Sequence, residues 1–385
     1  MSDVSSEYKF IPRRGLRRAH LQTIAGNFLP RTNLLPHGER RVFTIEEHES
    51  GTKVQVVCIC HWQESGHRVI RPSGEVRKPA VGTQQSAFSQ ETDSKGRPKT
   101  SKELRSGRTS PDHPIIRSPD SLLTVIIVHG LEGSADSQYV IGTGSKAWAA
   151  GMNVVRMNMR NCGGTETLTP TLYHSGLSTD VGAVTEELTR EDGLQRIAIV
   201  GFSMGGNLAL KLAGEWSDHA PPEVRAFAAV SPAMDLAASA DALHSWQNWL
   251  YEQKFLRGLR RRFRRKAELF PDRYDLAHLK RFASIREFDD QITARYEGFA
   301  GAADYYDRAA AARVVERIRV PTLVIHANDD PFIRLLPETR TRLVNNPAVR
   351  LVETAHGGHC AFLAEPNGYD GRWAEKTIVD FLSRI

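Results

Sequence analysis

The chain of 385 residues contains 40% hydrophobic and 25% charged residues, a composition typical of a globular protein with a sizeable core rather than of a disordered chain. Its formal net charge of +6 is regional, because much of the excess lies in residues 68–117 and 257–266, where we expect mainly solvated surface. No apolar run approaches the about 20 residues of a transmembrane helix, no signal-peptide core is apparent, and four cysteines are too few for a disulfide framework, so we expect a cytoplasmic protein.

The first predicted elements are two strands, residues 41–47 and 54–62, whose short connection indicates an antiparallel hairpin at a sheet edge. The segment that follows, residues 63–119, is rich in Ser, Thr, Gly, Pro, Lys, Arg and Gln and shows neither the helical nor the strand period. It is therefore predicted to be a flexible polar insertion.

From residue 122 onward, apolar strand-like runs alternate with helical patterns. The predicted strands are residues 122–128, 152–157, 196–200, 226–230, 322–325 and 350–352, and the predicted helices are one ending near residue 150, then 180–190, a helix after residue 203, and 371–382. Continuous apolar strands that alternate with helices predict a single α/β domain, with a mostly parallel sheet covered on both faces. Active residues are expected at the carboxyl ends of the strands.

Between residues 235 and 313 this alternation stops, and a mainly helical stretch takes its place. Two interpretations stay open: a helical cap over a site, or helices that pack on the main core. Under the first interpretation, large apolar side chains of this stretch line an acyl pocket. The candidates are Trp246, Trp249, Leu250, Phe255 and Leu256.

The sequence Gly-Phe-Ser-Met-Gly at residues 201–205 follows an apolar strand and opens a helical run. This is the context of a nucleophile elbow, a strained turn that exposes a serine between strand and helix. Gly201 and Gly205 flank Ser203 at the two positions where the backbones approach closely. We therefore predict Ser203 as a nucleophile.

His129, Gly130 and Leu131 follow the predicted strand 122–128, at the place where such folds provide the first oxyanion donor. Backbone N–H groups aimed at a developing negative charge stabilise the transition state of acyl transfer. The backbone N–H groups of Leu131 and Met204 are the predicted pair of donors.

The orienting acid and the base are each predicted from a pair of candidates. Asp329 and Asp330 follow the next-to-last strand, and we favour Asp330, with Asp329 bracing the loop. His356 and His359 follow the last strand on a Gly-rich loop, and we favour His359 because it lies beyond both glycines.

The chain order of serine, aspartate and histidine is that of the α/β-hydrolase fold rather than of the chymotrypsin or subtilisin folds. The predicted chemistry is attack by Ser203 with His359 as base, followed by hydrolysis of an acyl-enzyme. It requires no cofactor and no metal ion.

Together these motifs resemble the YheT-like family of α/β-hydrolases, which is related to abhydrolase-domain lipases and plant embryogenesis-associated proteins. The resemblance is carried by residues 10–12, 20–24, 129–134, 160–164, 173–176, 201–207, 329–332 and 357–359. It implies hydrolysis of carboxylic esters, with small-molecule or lipid esters as substrates, and a Ser-Asp-His triad. Arg160 and His174 recur in this pattern, and we expect them to pin loops around the site. The segment 63–119 departs from the pattern.

Other functions remain open. An amidase, thioesterase or acyltransferase would use the same triad. The basic cluster at residues 257–266 also suits an anionic membrane or a nucleic acid; we expect no nucleic-acid function, and at most weak peripheral contact with a membrane. A catalytically silent scaffold is the third class.

Overall fold

The computed structural model describes residues 8–46, 51–63, 122–279 and 281–385, all within one compact unit. The predicted polar insertion lies outside the described residues, apart from its first residue, Gln63. The strands are β1 (Glu39–Glu46), β2 (Lys53–His61), β3 (Thr124–Val128), β4 (Asn153–Asn158), β5 (Ile197–Phe202), β6 (Val224–Val230), β7 (Thr322–Ala327) and β8 (Val349–Thr354). The helices are α1 (Ala19–Phe28), α2 (Gln138–Ala149), α3 (Ser178–Asp192), α4 (Met204–Trp216), α5 (Leu236–Leu243), α6 (Trp249–Leu269), α7 (Ile285–Phe288), α8 (Ala302–Ala309), α9 (Pro337–Asn345) and α10 (Trp373–Leu382).

The strands form one eight-stranded sheet in the order β1-β2-β4-β3-β5-β6-β7-β8. β2 pairs antiparallel with β1 and β4, and every other pairing is parallel. The prediction of a mostly parallel sheet with an antiparallel hairpin at one edge is therefore confirmed. All residues of β3 and β5 are buried, because helices cover both faces, and this explains their unbroken apolar sequences.

Alternate residues of each central strand face two separate apolar clusters. Ile126 of β3 packs on the side of α3 and α4, whereas Val125 and Ile127 pack on the side of α2 and α10. This period of two follows from the pleat of a strand. The sheet is thus the middle layer of three, and the turns at the carboxyl ends of its parallel strands lie together at one edge.

The residues between β6 and β7 form α5, α6, α7, a π-helical turn (Asp289–Ala294) and α8. The longest of these helices is α6, with 21 residues. Single π-helical turns inside helical segments often occur at functional sites. No helix among the described residues is long and apolar enough to span a bilayer.

Helices α1 and α9 were not among the predicted elements. The buried side of α1 consists of Gln22, Thr23 and Gly26, which are polar or small, whereas its large apolar residues lie on the exposed side, the reverse of the pattern used to predict a packed helix. α9 begins with Pro337 in its first turn, a favourable position for proline, but buries only Thr339 and Leu343.

Candidate active site

The site begins at the tight turn between β5 and α4. Ser203 occupies this turn with φ 54° and ψ −118°, a strained conformation for a residue with a side chain. A Cβ atom on Gly201 would overlap the backbone of Gly205, and one on Gly205 would overlap the backbone at the end of β3. The two glycines therefore allow the strand and the helix to meet closely enough to expose the serine.

Ser203, His359 and Asp330 are brought together at the carboxyl ends of β5, β8 and β7. The Nε2 atom of His359 lies 3.1 Å from the Oγ atom of Ser203, and its Nδ1 atom lies 2.8 Å from Oδ2 of Asp330. The carboxylate of Asp330 is 1% exposed, and its Oδ1 atom accepts the backbone N–H groups of Phe332 and Ile333. Since the carboxylate only accepts, Nδ1 of His359 carries the proton and Nε2 is free to accept one from the serine hydroxyl.

The surroundings of His359 act in opposite directions on its basicity. Burial disfavours the imidazolium, whereas the neighbouring Cys360 and the carboxylate of Asp330 favour it, and the net effect raises the pKa of His359. An imidazole with a raised pKa has a stronger affinity for the proton that the serine gives up. The position of its loop is set by α1, since the hydroxyl of Thr23 accepts the backbone N–H of His359 at 2.9 Å.

A second aspartate and histidine lie beside the first pair. The Oδ1 atom of Asp329 accepts the backbone N–H of Gly358 at 2.9 Å, and its Oδ2 atom lies 3.3 Å from Nδ1 of His356. Asp329 therefore braces the loop that carries His359, while Asp330 contacts the imidazole itself.

The loop after β3 is held by two buried side chains. Nδ1–H of His129 donates to the carbonyl of Gly130 at 2.8 Å, and its Nε2 accepts the backbone N–H of Met159 at 3.1 Å. Burial lowers the pKa of His129 to about 4, so the ring is neutral, as this pair of bonds requires. The hydroxyl of Tyr139 accepts the backbone N–H of Gly130 at 2.9 Å.

These contacts orient the peptide that contains the N–H of Leu131. The described peptides are trans, so the N–H of Leu131 points away from the Gly130 carbonyl that His129 binds. Met204 is the first residue of α4, where helix geometry leaves the N–H without an intrahelical acceptor. Leu131, Met204 and Ser203 line one cavity.

The cavity beside Ser203 has a volume of about 110 Å³ and is mostly apolar. The residues between β6 and β7 form much of its wall, with Leu243 of α5, Phe255 and Leu259 of α6, and Ile285 of α7. Helices from this stretch therefore face the nucleophile. Among the described residues, no group of three or more His, Cys, Asp or Glu side chains is arranged to hold a metal ion.

A family model described as the alpha/beta hydrolase fold matches residues 124–366. This range includes strands β3 to β8 and every residue of the candidate site described so far except Thr23. The chain belongs to the α/β-hydrolase family.

Several esterases and lipases are relatives of this α/β-hydrolase. It is 37% identical to the protein of Escherichia coli that is named "Putative esterase YheT", over 67% of this chain and 76% of that protein. It is 29% identical to a monoacylglycerol lipase of Saccharomyces cerevisiae over 71% of this chain, and 29% identical to the mouse phospholipase ABHD3 over 62%. The chain spans only 62% and 58% of the length of these two proteins. The relatives thus support a hydrolase of esterase or lipase type.

One solved structure, of a 2,6-dihydroxy-pseudo-oxynicotine hydrolase, superimposes with a TM-score of 0.50 at 15% identity. The match covers 95% of this chain and 71% of that one. It shows the common fold.

A polar group at the cavity wall was not among the predicted site residues of this hydrolase. Asp289, in the π-helical turn, lines the cavity and accepts hydrogen bonds from Thr293 at 2.7 Å and from Tyr306 at 2.8 Å. Burial raises the pKa of Asp289 to about 6. Its position inside a helical segment of mixed polarity carries no sequence motif, which is why it was missed.

Arg160 and His174 both contact loops next to the cavity. Arg160 is buried and forms two hydrogen bonds with the carboxylate of Asp180, at 2.7 and 2.6 Å. His174 accepts the backbone N–H of Gly176 at 3.1 Å and lines the cavity. Burial lowers the pKa of His174 to about 3, so it is a neutral ring. Arg160 pins its loop, whereas His174 both pins a loop and lines the cavity.

The expectation of a solvated basic cluster is wrong for two of its members. Arg262 donates to the carboxylate of Glu132, on the loop after Leu131, and to the carbonyl of Asn161. Lys266 is fully buried and donates to main-chain carbonyls, including that of Thr169. Lys266 is buried and Arg262 mostly covered because the loops packed against α6 offer carboxylate and carbonyl acceptors.

The expected acyl-pocket residues divide into two groups. Phe255 lines the cavity and Leu256 is buried, but Trp246, Trp249 and Leu250 are 84%, 58% and 73% exposed. The prediction that Trp246, Trp249 and Leu250 line a pocket is therefore wrong, and Leu256, although buried, is not among the residues that line this cavity. The three exposed residues lie at and just before the start of α6.

Proposed function

We propose that this α/β-hydrolase is a serine esterase in which Ser203, His359 and Asp330 form the catalytic triad. The observation that carries the proposal is the 3.1 Å approach of His359 Nε2 to Ser203 Oγ at the wall of an apolar cavity, with a buried carboxylate on the far side of the ring. Geometry of this kind is the recognised arrangement of an activated serine nucleophile.

The reaction proceeds in two halves. His359 takes the hydroxyl proton as the oxygen of Ser203 attacks the ester carbonyl, and the N–H groups of Leu131 and Met204 stabilise the oxyanion. The imidazolium then gives its proton to the leaving alcohol, and an acyl-enzyme remains. Water, deprotonated by the same imidazole, cleaves the acyl-enzyme and restores the serine.

The cavity favours a short acyl group. Its volume of about 110 Å³ is smaller than that of an apolar cavity of roughly 150 Å³ that holds benzene, so it encloses a short acyl group completely and only the first carbons of a medium-length chain. Each methylene that the wall buries contributes about 0.8 kcal/mol to binding, until the cavity is full. The proposed substrates are therefore esters of short to medium acyl chains, small molecules or lipids.

We further propose that residues 235–313 act as a cap. The support is that α5, α6 and α7 supply apolar side chains to the wall of the cavity that Ser203 also lines. A cap of this kind excludes water from the acyl group and sets chain-length preference. The cytoplasm remains the proposed compartment, on the basis of composition and cysteine use.

The test is hydrolysis of p-nitrophenyl esters from acetate to decanoate by the wild type, with labelling by a fluorophosphonate probe. We expect the highest kcat/KM at short chains, and loss of both turnover and labelling in Ser203→Ala. His356→Ala is the matched control, because this histidine touches Asp329 rather than the serine, and it should retain activity.

Retained turnover in Ser203→Ala would contradict the proposed nucleophile. If matched anilides are cleaved faster than the esters, the hydrolase is an amidase. If rates do not depend on chain length, the cavity does not hold the acyl group. A folded wild type that is neither labelled nor active would point to a catalytically silent scaffold.

A further inference from the structure

Three large apolar side chains stand out from the start of α6. Trp246, Trp249 and Leu250 are mostly exposed and adjacent, although single exposed apolar residues are ordinary on protein surfaces. A cluster that includes two tryptophans is different, because contiguous exposed apolar patches mark sites of interaction.

Helix α1 adds a second apolar strip. Leu21, Ile24 and Phe28 are spaced by three and four residues, so they share one face, and they are 44%, 45% and 81% exposed. The opposite face of α1, which is polar or small, is the buried one. This is the reverse of a helix of a globular protein, whose apolar face is normally the buried one.

The two helices touch each other. The rings of His20 and Tyr251 stack with centroids 5.7 Å apart, and Nδ1 of His20 lies 3.3 Å from the hydroxyl of Tyr251. His20 is the second residue of α1 and Tyr251 the third of α6. The apolar strip of α1 and the apolar cluster of α6 therefore flank a shared contact.

Basic side chains accompany both apolar clusters. The exposed cations of α6 follow Leu250 at helical spacing and therefore lie on the same face of the helix. A second group of exposed arginines lies directly before α1. None of these side chains has an ion-pair partner in the part of the chain that the structure describes. The cations are Lys254, Arg257, Arg261 and Arg264 on α6, and Arg13, Arg14, Arg17 and Arg18 before α1.

We propose that these residues form a docking surface for anionic phospholipid bilayers. The α1/α6 surface is defined as the exposed apolar residues of the two helices together with those eight cations. Tryptophan, phenylalanine and leucine side chains insert at the boundary between head groups and acyl chains, and arginine and lysine bind lipid phosphates. A nucleic acid would account for the cations alone, whereas a bilayer accounts for both sets of residues.

The α1/α6 surface lies next to the candidate active site. Thr23 of α1 accepts the backbone N–H of His359, and the ring of Tyr251 packs 5.4 Å from that of Phe332. Phe332 in turn packs 4.4 Å from the ring of His359. A bilayer bound at this surface would lie close to the cavity, where lipid esters could reach the serine. Docking itself does not depend on the proposed esterase activity.

The experiment is co-sedimentation of the full chain with vesicles. The two compositions are phosphatidylcholine alone, and phosphatidylcholine with about 30 mol% phosphatidylglycerol. We expect binding to the anionic vesicles only, and loss of that binding at high salt, because surface electrostatics are screened. Each cation removed should weaken partitioning by about fivefold, so Arg257→Ala combined with Arg261→Ala should weaken it by roughly 25-fold.

Two further variants separate the apolar and basic contributions. A variant with Trp246→Ser, Trp249→Ser and Leu250→Ser should lose anionic vesicle binding while it keeps every cation. The control is Arg225→Ala with Arg317→Ala, which removes two exposed cations of β6 and of the turn after α8 and should bind like the wild type. All variants should hydrolyse a soluble p-nitrophenyl ester at the wild-type rate, because none of these residues lines the cavity.

Several results would overturn the proposal. One is no binding of the wild type to anionic vesicles at low salt. Another is an equal loss of binding in the control variant, which would reduce the effect to net charge. Binding of duplex DNA that needs the arginines but not the tryptophans would assign the surface to nucleic acid. A dimer in solution that the Trp246, Trp249 and Leu250 variant abolishes, with no vesicle binding, would assign it to self-association.

Discussion

Exchange of the buried aspartate for asparagine tests the proposed triad most directly, because Asp330→Asn removes a charge without changing the shape of the side chain. In the wild type, Oδ1 accepts two backbone N–H groups, from Phe332 and Ile333, and Oδ2 faces Nδ1 of His359. In the variant, the amide oxygen must stay at the Oδ1 position to keep both backbone bonds. Its NH2 group then faces His359.

The tautomer of His359 follows from this orientation. Opposite an NH2 donor, Nδ1 must accept, so the proton moves to Nε2 and the ring can no longer take one from Ser203. Turning the amide over would restore the tautomer but would leave two buried N–H groups unpaired, at about 1 to 3 kcal/mol each. The wrong tautomer therefore prevails, and we expect kcat to fall by about 10⁴-fold, or about 5 kcal/mol of transition-state stabilisation.

The assay is kcat on a short p-nitrophenyl ester, with thermal unfolding to show that the fold is intact. Asp329→Asn is the matched control, one residue away, and it should cost no more than about tenfold, because Asp329 holds the loop through Gly358 without touching the imidazole of His359. If Asp330→Asn keeps activity within tenfold of the wild type, or if Asp329→Asn is the more damaging change, the assignment of the acid is refuted.

Three further predictions concern the fold around the site. Gly205→Ala should leave little soluble, probe-reactive protein, because its Cβ would overlap the backbone at the end of β3; expression and labelling check this. Arg160→Met should lower the free energy of unfolding by about 3 to 5 kcal/mol in urea titrations, since the buried carboxylate of Asp180 would lose its ion pair with Arg160. The pKa of Asp289 is raised to about 6 by burial, so the native state binds this proton more tightly than the unfolded chain. The free energy of unfolding should therefore fall by about 3 kcal/mol as the pH rises from about 4 to about 6. Asp289→Asn should abolish this pH dependence, which denaturant titrations at several pH values across the range would measure.

Local sequence signals predicted those parts of the molecule that depend on near neighbours. The buried strands of the sheet were recognisable because a strand covered on both faces is apolar throughout. The elbow at Ser203 was recognisable because a strained turn between strand and helix needs glycine on each side within four residues. The chain order of nucleophile, acid and base then restricted the other two residues to a pair of candidates each.

Tertiary packing decided the rest. Asp329 and Asp330 are chemically equivalent in the sequence, and only the direction in which each side chain leaves its loop puts one at His359 and the other at Gly358. The hydroxyl of Thr23, which holds the loop of His359, comes from a helix 336 residues away, and although residues 20–24 belong to the family pattern, that pattern does not indicate which loop Thr23 contacts. Such contacts join segments far apart in the chain, so no local pattern encodes them.

The same limit applies to polarity. The sequence showed that residues 257–266 are basic and that the start of α6 is apolar. Residue types alone do not determine which side of the helix packs against the rest of the protein. Packing of α6 against the loops after β3 and β4 covered most of Arg262 and all of Lys266 beside acceptors and left Trp246 and Trp249 in solvent. The rotation of a helix about its axis depends on which neighbours supply complementary groups, and those neighbours become known only when the whole chain is folded.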